Sequence, residues 1–206
     1  MLRNEVVYWI GGSACAGKST LAQMYAEKYQ LELYSCDEHF NEHLKSISVK
    51  EQPAMYKVST MNPNEAFYTR GIDEQLKVYI RSFKEDFSFV INDLNKRCDK
   101  PIVVEGNQIL PSLVLPYLNK KHKAIWIIPT ESFQRENYRK RNWINTVLSE
   151  TNDPDVSFNN WMTRDALFAK FVLQEANDLN LNVLSIDGKK DLKENFKMIE
   201  SYFSLN

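Results

Sequence analysis

The chain predicts an α/β doubly wound domain, a five-stranded parallel sheet flanked by helices. Three observations carry this. Short runs rich in β-branched and aromatic residues alternate with segments of helical period along 206 residues. One run, Pro101-Ile-Val-Val-Glu105, is apolar up to its last residue, as suits a strand covered on both faces. Between the first run and the first helical segment stands a glycine-rich turn ending in Gly-Lys-Ser. No internal repeat and no low-complexity linker divides the chain, so residues 1–206 are expected to form a single domain.

The first strand is Val6 to Ile10, and Leu21 to Tyr29 follow with helical spacing. Between them lies Gly12-x-x-x-x-Gly17-Lys18-Ser19. Glycines let a backbone curl until successive N–H groups face phosphate oxygens. The helix N-terminus adds its dipole, a lysine reaches the β- and γ-phosphates, and a serine hydroxyl takes Mg²⁺. A chance match in a Gly/Lys-containing turn is the bland alternative, and the flanking strand and helix count against it. The expected nucleotide-binding set is therefore Gly12, Ser13, Ala14, Cys15, Ala16, Gly17, Lys18, Ser19 and Thr20. The expected ligands are ATP and Mg²⁺. Adenine is the default base, because Asn95-Lys96-Arg97-Cys98 and Asn119-Lys120-Lys121-His122 both lack the aspartate of an N-K-x-D guanine reader.

The second strand, Leu31 to Ser35, puts Asp37 beyond its carboxyl end, where open parallel sheets bind ligands. Asp37 is the candidate to hold the acceptor hydroxyl; an N-cap role is its structural alternative. The next residues, His39-Phe40-Asn41-Glu42-His43, spell H-x-x-E-H, an inverted zinc-protease pattern. A zinc site needs a third protein ligand, which no spacing marks. The stretch reads better as the acceptor side of a phosphotransfer site.

Residues 50–99 form a helical insertion by pattern. Apolar positions from Phe67 to Leu94 recur near the 3.6 period within a Glu65–Cys98 segment, with Gly71 as a break. Pro53 and Pro63 bracket a connecting stretch, and Tyr56, Phe67 and Tyr68 are candidates to line an acceptor pocket. Glu105 at the tip of the third strand is expected to act on Mg²⁺ together with Ser19, and Gly106 to permit a close approach. Ala124 to Ile128 is the fourth strand and Val183 to Ile186 the fifth, ending in the turn Asp187-Gly188.

After the fourth strand, Arg135 and Arg139 stand four apart on one helical face, with Arg141 beyond them. Like charges at that spacing repel by about 0.2–0.5 kcal/mol, so an anionic ligand between them is expected. A solvated basic face, supported by Glu136–Lys140 pairing, is the alternative. The turn-rich Thr146 to Asn160 is expected to act as a mobile lid within a region of about 131–160. Trp161 to Asn180 reads as a helix with Arg164 near its start.

This order of phosphate loop, aspartate after strand two, helical insertion, Glu-Gly after strand three and Arg-rich helix after strand four resembles P-loop kinases of the nucleoside/nucleotide and small-metabolite group. Uridine, shikimate and gluconate kinases and chloramphenicol phosphotransferase are such kinases. The resemblance implies the P-loop NTPase fold and transfer of the γ-phosphate of ATP to a hydroxyl of a small molecule, a nucleoside, sugar acid or similar metabolite or antibiotic. It implies catalytic roles for Lys18, Asp37 and the lid arginines Arg135 and Arg139. Cys36-Asp37-Glu38 lacks the paired D-x-D of shikimate kinases, and Glu105-Gly106-Asn107 is not the E-R-S of deoxynucleoside kinases. A regulatory NTPase without a small-molecule acceptor is the competing class.

Bulk properties narrow the partners. A net charge of −1 gives no basic field for nucleic acid, and no apolar run is long enough to span a membrane. Three cysteines, Cys15, Cys36 and Cys98, without C-x-x-C spacing, and an N-terminus unlike a signal peptide lead to the expectation of reduced thiols in the cytoplasm. A monomer or homodimer is expected.

Overall fold

The computed structural model describes residues 6–97, 100–118 and 120–204, so Cys98 and part of the second N-K segment lie outside the described residues. Strand β1 (Val7–Gly12) leads through the glycine loop into α1 (Lys18–Tyr29) and then β2 (Glu32–Ser35). Helices α2 (Cys36–His43), α3 (Pro53–Thr60), α4 (Pro63–Phe67) and α5 (Ile72–Lys96) precede β3 (Ile102–Glu105). Short α6 (Pro111–Val114) precedes β4 (Ala124–Pro129), and α7 (Glu131–Arg139), α8 (Asn142–Ser149) and α9 (Pro154–Asp178) follow it. The chain closes with β5 (Asn182–Ile186) and α10 (Leu192–Phe203).

The sheet has five strands, parallel throughout, as the sequence predicts, and their order is β2-β3-β1-β4-β5. Alternation of side chains sorts the core. Val7, Trp9, Ile102, Val104, Ala124 and Trp126 face α5 and α9, whereas Ile10, Val103, Ile125, Ile127 and Leu184 face α1 and α10. Both faces are covered, which explains why these strands read as continuous apolar runs. The chain reverses direction across the sheet beside β1, so the carboxyl ends of β1, β2 and β3 open on one crevice. In register, Glu105 stands level with Ile10 and with Ser35.

The break expected at Gly71 is present: α4 ends at Phe67, and Gly71 is the N-cap of α5. Two expectations change. The stretch between Pro53 and Pro63 is itself a helix, because each proline sits at a first-turn position where its missing N–H costs nothing. Thr146 to Asn160, expected to be turn-rich, is largely helical. It holds the end of α8, a short turn and the first two turns of α9, which Asp153 caps by accepting from the N–H groups of Asp155 and Val156. Ile144, Leu148 and Phe158 bury themselves there against Tyr138, Trp161 and Met162. No helix among the described residues is long and apolar enough to cross a membrane.

Candidate functional site

The loop after β1 curls through left-handed backbone at Cys15 (φ 61°) and Gly17 (φ 79°), the latter serving as N-cap of α1. At Gly12 (φ 132°) a Cβ would stand 2.0 Å from the Ile127 carbonyl oxygen, so only glycine lets the loop leave the sheet here. The buried Lys18 reaches back across the loop, its Nζ donating to the Ser13 carbonyl (2.8 Å). Burial lowers its pKa, and the carboxylates of Glu105 and Asp37 pull against that shift. Gln134, on α7, closes the back of the loop. Its Nε2 donates to Ser13 Oγ (3.1 Å) and to the Ala14 carbonyl (2.9 Å).

Glu105 is buried at the end of β3, between the hydroxyls that two neighbouring elements supply. Ser19 Oγ donates to its Oε2 (3.1 Å) and Ser35 Oγ to its Oε1 (2.7 Å). Burial raises its pKa, opposed by Lys18. This donor set, hard oxygens around one carboxylate at the helix N-terminus, fits Mg²⁺, which takes one or two carboxylates and completes its shell with phosphates and water. Gly106 serves packing rather than ligand approach: a Cβ there would meet Cys36 Cβ at 2.6 Å, at the start of α2.

Asp37 is exposed in the first turn of α2; Ser35, not Asp37, occupies the N-cap position. Its carboxylate lines a cleft of about 500 Å³ between the carboxyl end of the sheet and the helical insertion. Phe67, Tyr79, Tyr138 and Trp161 wall the cleft, with Arg70, Arg141 and Arg164 among its polar residues. Of the three aromatic residues singled out in the insertion, Phe67 lines it, stacked 4.0 Å from Trp161, whereas Tyr56 is exposed and, like Tyr68, stands apart from it. On the other side of the loop a hollow of about 290 Å³ is formed by Cys15, Gly17, Phe133, Asn137 and Lys190, and Arg141 lines both spaces.

The structure does not bring Arg135 and Arg139 to this crevice. Arg135 pairs with Glu131 (2.9 Å) and reaches Asn159 and Thr163, and Arg139 lies over the Phe158 ring, 5.3 Å from its centroid. The reason is register: α7 turns Gln134 and Tyr138 inward, and the arginines one position later are rotated by about 100°. Arg70, Arg141 and Arg164 are the arginines at the cleft. Arg164 is buried, held by Asp165 (Nη2 to Oδ1 2.6 Å) and stacked 4.2 Å from the Tyr79 centroid. Gln134 was missed from sequence: its i, i+4 spacing to Tyr138 marks a shared helical face but not the direction of that face.

The histidines do not form a metal site, and no cluster of His, Cys, Asp and Glu able to hold a metal ion occurs among the described residues. His39 Nδ1 lies 2.8 Å from the Ser35 carbonyl and its ring stacks on Tyr34. His43 sits between two aspartates of α5, with Nδ1 2.6 Å from Asp86 and Nε2 3.1 Å from Asp93, beside the Tyr34 hydroxyl. Burial disfavours charge on His43, but its hydrogen bonds to Asp86 and Asp93 prevail and raise its pKa. The pair thus clamps α2 to α5.

No protein-family model and no curated protein sequence matches this chain. Among solved structures it is similar to an uncharacterized protein from Eubacterium ventriosum ATCC 27560, with TM-score 0.51 and 16% identity over 98% of this chain and 100% of that chain. It is also similar to a shikimate kinase from Bacteroides thetaiotaomicron, with TM-score 0.49 and 12% identity over 97% and 99% of the two chains. A shikimate kinase from Acinetobacter baumannii in complex with shikimate gives TM-score 0.47 and 11% identity over 98% and 92%. At such identities the likeness is one of fold. The parallel sheet, its strand order and the glycine loop opening α1 give the chain the P-loop NTPase fold.

Proposed function

We propose that the chain is an ATP-dependent phosphotransferase acting on a hydroxyl group of a small molecule. One observation carries the reading: the exposed Asp37 lines a 500 Å³ aromatic-walled cleft that includes Ala14 of the phosphate loop and shares Arg141 with the hollow on the loop's other side. A regulatory NTPase has no use for such a cleft beside its γ-phosphate position. The loop N–H groups, the α1 dipole and Lys18 would hold the triphosphate, and the hollow by Phe133 and Lys190 would take the nucleoside. Ser19 and Glu105 would hold Mg²⁺, which supplies charge stabilisation between the β- and γ-phosphate oxygens.

Asp37 orients the acceptor hydroxyl in line with the γ-phosphorus and takes its proton as the new P–O bond forms. The bond from the γ-phosphorus to the β–γ bridging oxygen breaks in the same step, with ADP leaving. Arg141, between the two spaces, meets the charge on the transferring phosphoryl group. The aromatic wall and the buried Arg164–Asp165 pair exclude water, which keeps ATP hydrolysis slow until an acceptor fills the cleft. The test is ADP release from Mg-ATP with and without a metabolite panel, for wild type and Lys18→Ala. Acceptor-stimulated release that Lys18→Ala abolishes is expected. Turnover in Lys18→Ala within a few-fold of wild type would sink the reading.

A further inference from the structure

Gln134 is 1% exposed and spends its amide on the phosphate loop, donating to the Ala14 carbonyl (2.9 Å) and to Ser13 Oγ (3.1 Å). A backbone carbonyl accepts only from N–H, so this orientation of the amide is dictated. The Ala14 carbonyl belongs to the peptide that joins Ala14 to Cys15, the two central residues of a turn. Carbonyl and N–H lie on opposite sides of a trans peptide, and no peptide among the described residues is cis. With the carbonyl drawn to α7, the Cys15 N–H points away from α7. It donates to no other group among the described residues.

The alternative backbone is the easier one for these residue types. Cys15 has φ 61° whereas φ of Ala14 is negative, the sign pattern of a type II turn. That turn wants glycine at its second central position, and a side chain there is strained. A type I turn has negative φ at both central positions and suits cysteine; it differs by a rotation of the central peptide. The rotation would bring the Ala14 carbonyl to the phosphates and turn the Cys15 N–H from them. A strained conformer persists only where its surroundings over-determine it. The buried Gln134 amide does so, because rotation would forfeit its shorter hydrogen bond.

We propose that Gln134 is a positioning residue for phosphate binding, acting through the Ala14–Cys15 peptide. It holds the Cys15 N–H toward the phosphate oxygens and the Ala14 carbonyl away from them. The proposal rests on the phosphate-loop reading, and Lys18→Ala tells the failure of one from the failure of the other.

Inorganic pyrophosphate is the probe, since it engages the loop but needs neither base nor acceptor. The full chain, its cysteines labelled with ¹⁵N, is titrated by calorimetry and by amide spectra, in which only Cys15, Cys36 and Cys98 give signals. In wild type the Cys15 amide is expected to shift downfield as pyrophosphate binds. Gln134→Leu is expected to weaken binding roughly 10–100-fold, the worth of one charged hydrogen bond, and to leave the Cys15 amide unshifted at saturation. A Gln134 that merely packs would leave the shift at saturation as in wild type, and that result overturns the proposal.

Should Gln134→Leu fail to fold, Gln134→Glu keeps the shape and removes the donor. It should bind as weakly in alkaline buffer, then recover affinity and the Cys15 shift, relative to wild type, as falling pH protonates the carboxyl and restores a donor. Absence of that recovery overturns the proposal, as does a wild-type Cys15 amide that bound pyrophosphate leaves unmoved. Binding abolished by Lys18→Ala but untouched by Gln134→Leu removes the proposal and leaves the loop reading standing. Pyrophosphate held equally by wild type and Lys18→Ala removes both.

Discussion

Replacing His43 with glutamine asks what the histidine pair of α2 does. His43 is 5% exposed and Asp86 0%, so the ring is the countercharge of a carboxylate that water does not reach. Removing one partner of a buried pair costs about 3–5 kcal/mol, because the other is left charged and uncompensated. Glutamine can still donate to one aspartate, which places H43Q in the lower half of that range. For a chain of this length each kcal/mol moves Tm by about 2–4 °C, giving a fall of about 6–15 °C. The double variant H43L/D86L leaves only the Asp93 carboxylate, which Lys96 still pairs at 3.0 Å, and should recover most of the loss.

The pH dependence has a definite sign. Asp86, Asp93 and Tyr34 surround the ring, and its folded pKa lies above 6.5. The stabilisation is therefore full below the unfolded value and is lost as pH rises through the folded one. Thermal melts read by circular dichroism across the neutral and alkaline range should show that fall in wild type and its absence in H43L/D86L. A loss below about 1 kcal/mol in H43Q, or a double variant no better than the single, refutes the clamp. If a zinc-selective chelator lowers the wild-type Tm as far as H43Q does, His43 is a metal ligand and the account is wrong.

Asp37→Asn keeps the size and loses the charge; it should fold normally, bind Mg-ATP and lose about 10²–10⁴-fold in acceptor-dependent turnover. Retained turnover would move the proton-accepting role elsewhere. Arg141→Ala should lower kcat by about 10²-fold with little change in the ATP KM, whereas Arg135→Ala and Arg139→Ala stay within about twofold of wild type. The reverse ranking in steady-state kinetics would return the arginines of α7 to the site.

Where local pattern and tertiary role coincide, the sequence was readable. The glycine loop, the two carboxylates beyond β2 and β3, and the five strands all follow from short-range chemistry, since a covered parallel strand has nothing to be but apolar. The direction of the α7 arginines was not readable, because four-residue spacing says which side chains share a helical face but not which way the face points. Buried Gln134 and Tyr138 settle that for α7. Asp153-Pro154 is a helix start in its own right, a capping acid before a proline at N1, and counting turn-forming residues across Thr146 to Asn160 concealed it. The burial of Gln75, Asn107 and Gln108 beside the cleft was beyond reach, because they come from α5 and the loop after β3 and only the fold brings them together.

Gly11 lies outside the G-x-x-x-x-G-K-S pattern, yet a Cβ there would fall 2.4 Å from both Trp126 Nε1 and the Ile109 carbonyl, which the indole joins with a 2.7 Å hydrogen bond. The two positions therefore cannot drift separately. A relative carrying any side chain at position 11 must give up the tryptophan at 126, and with it the tie that holds the segment after β3 against the sheet. Sequences that keep Trp at 126 should show glycine at 11 without exception, a covariation rule that owes nothing to phosphate binding and would persist in a descendant that had lost every catalytic residue.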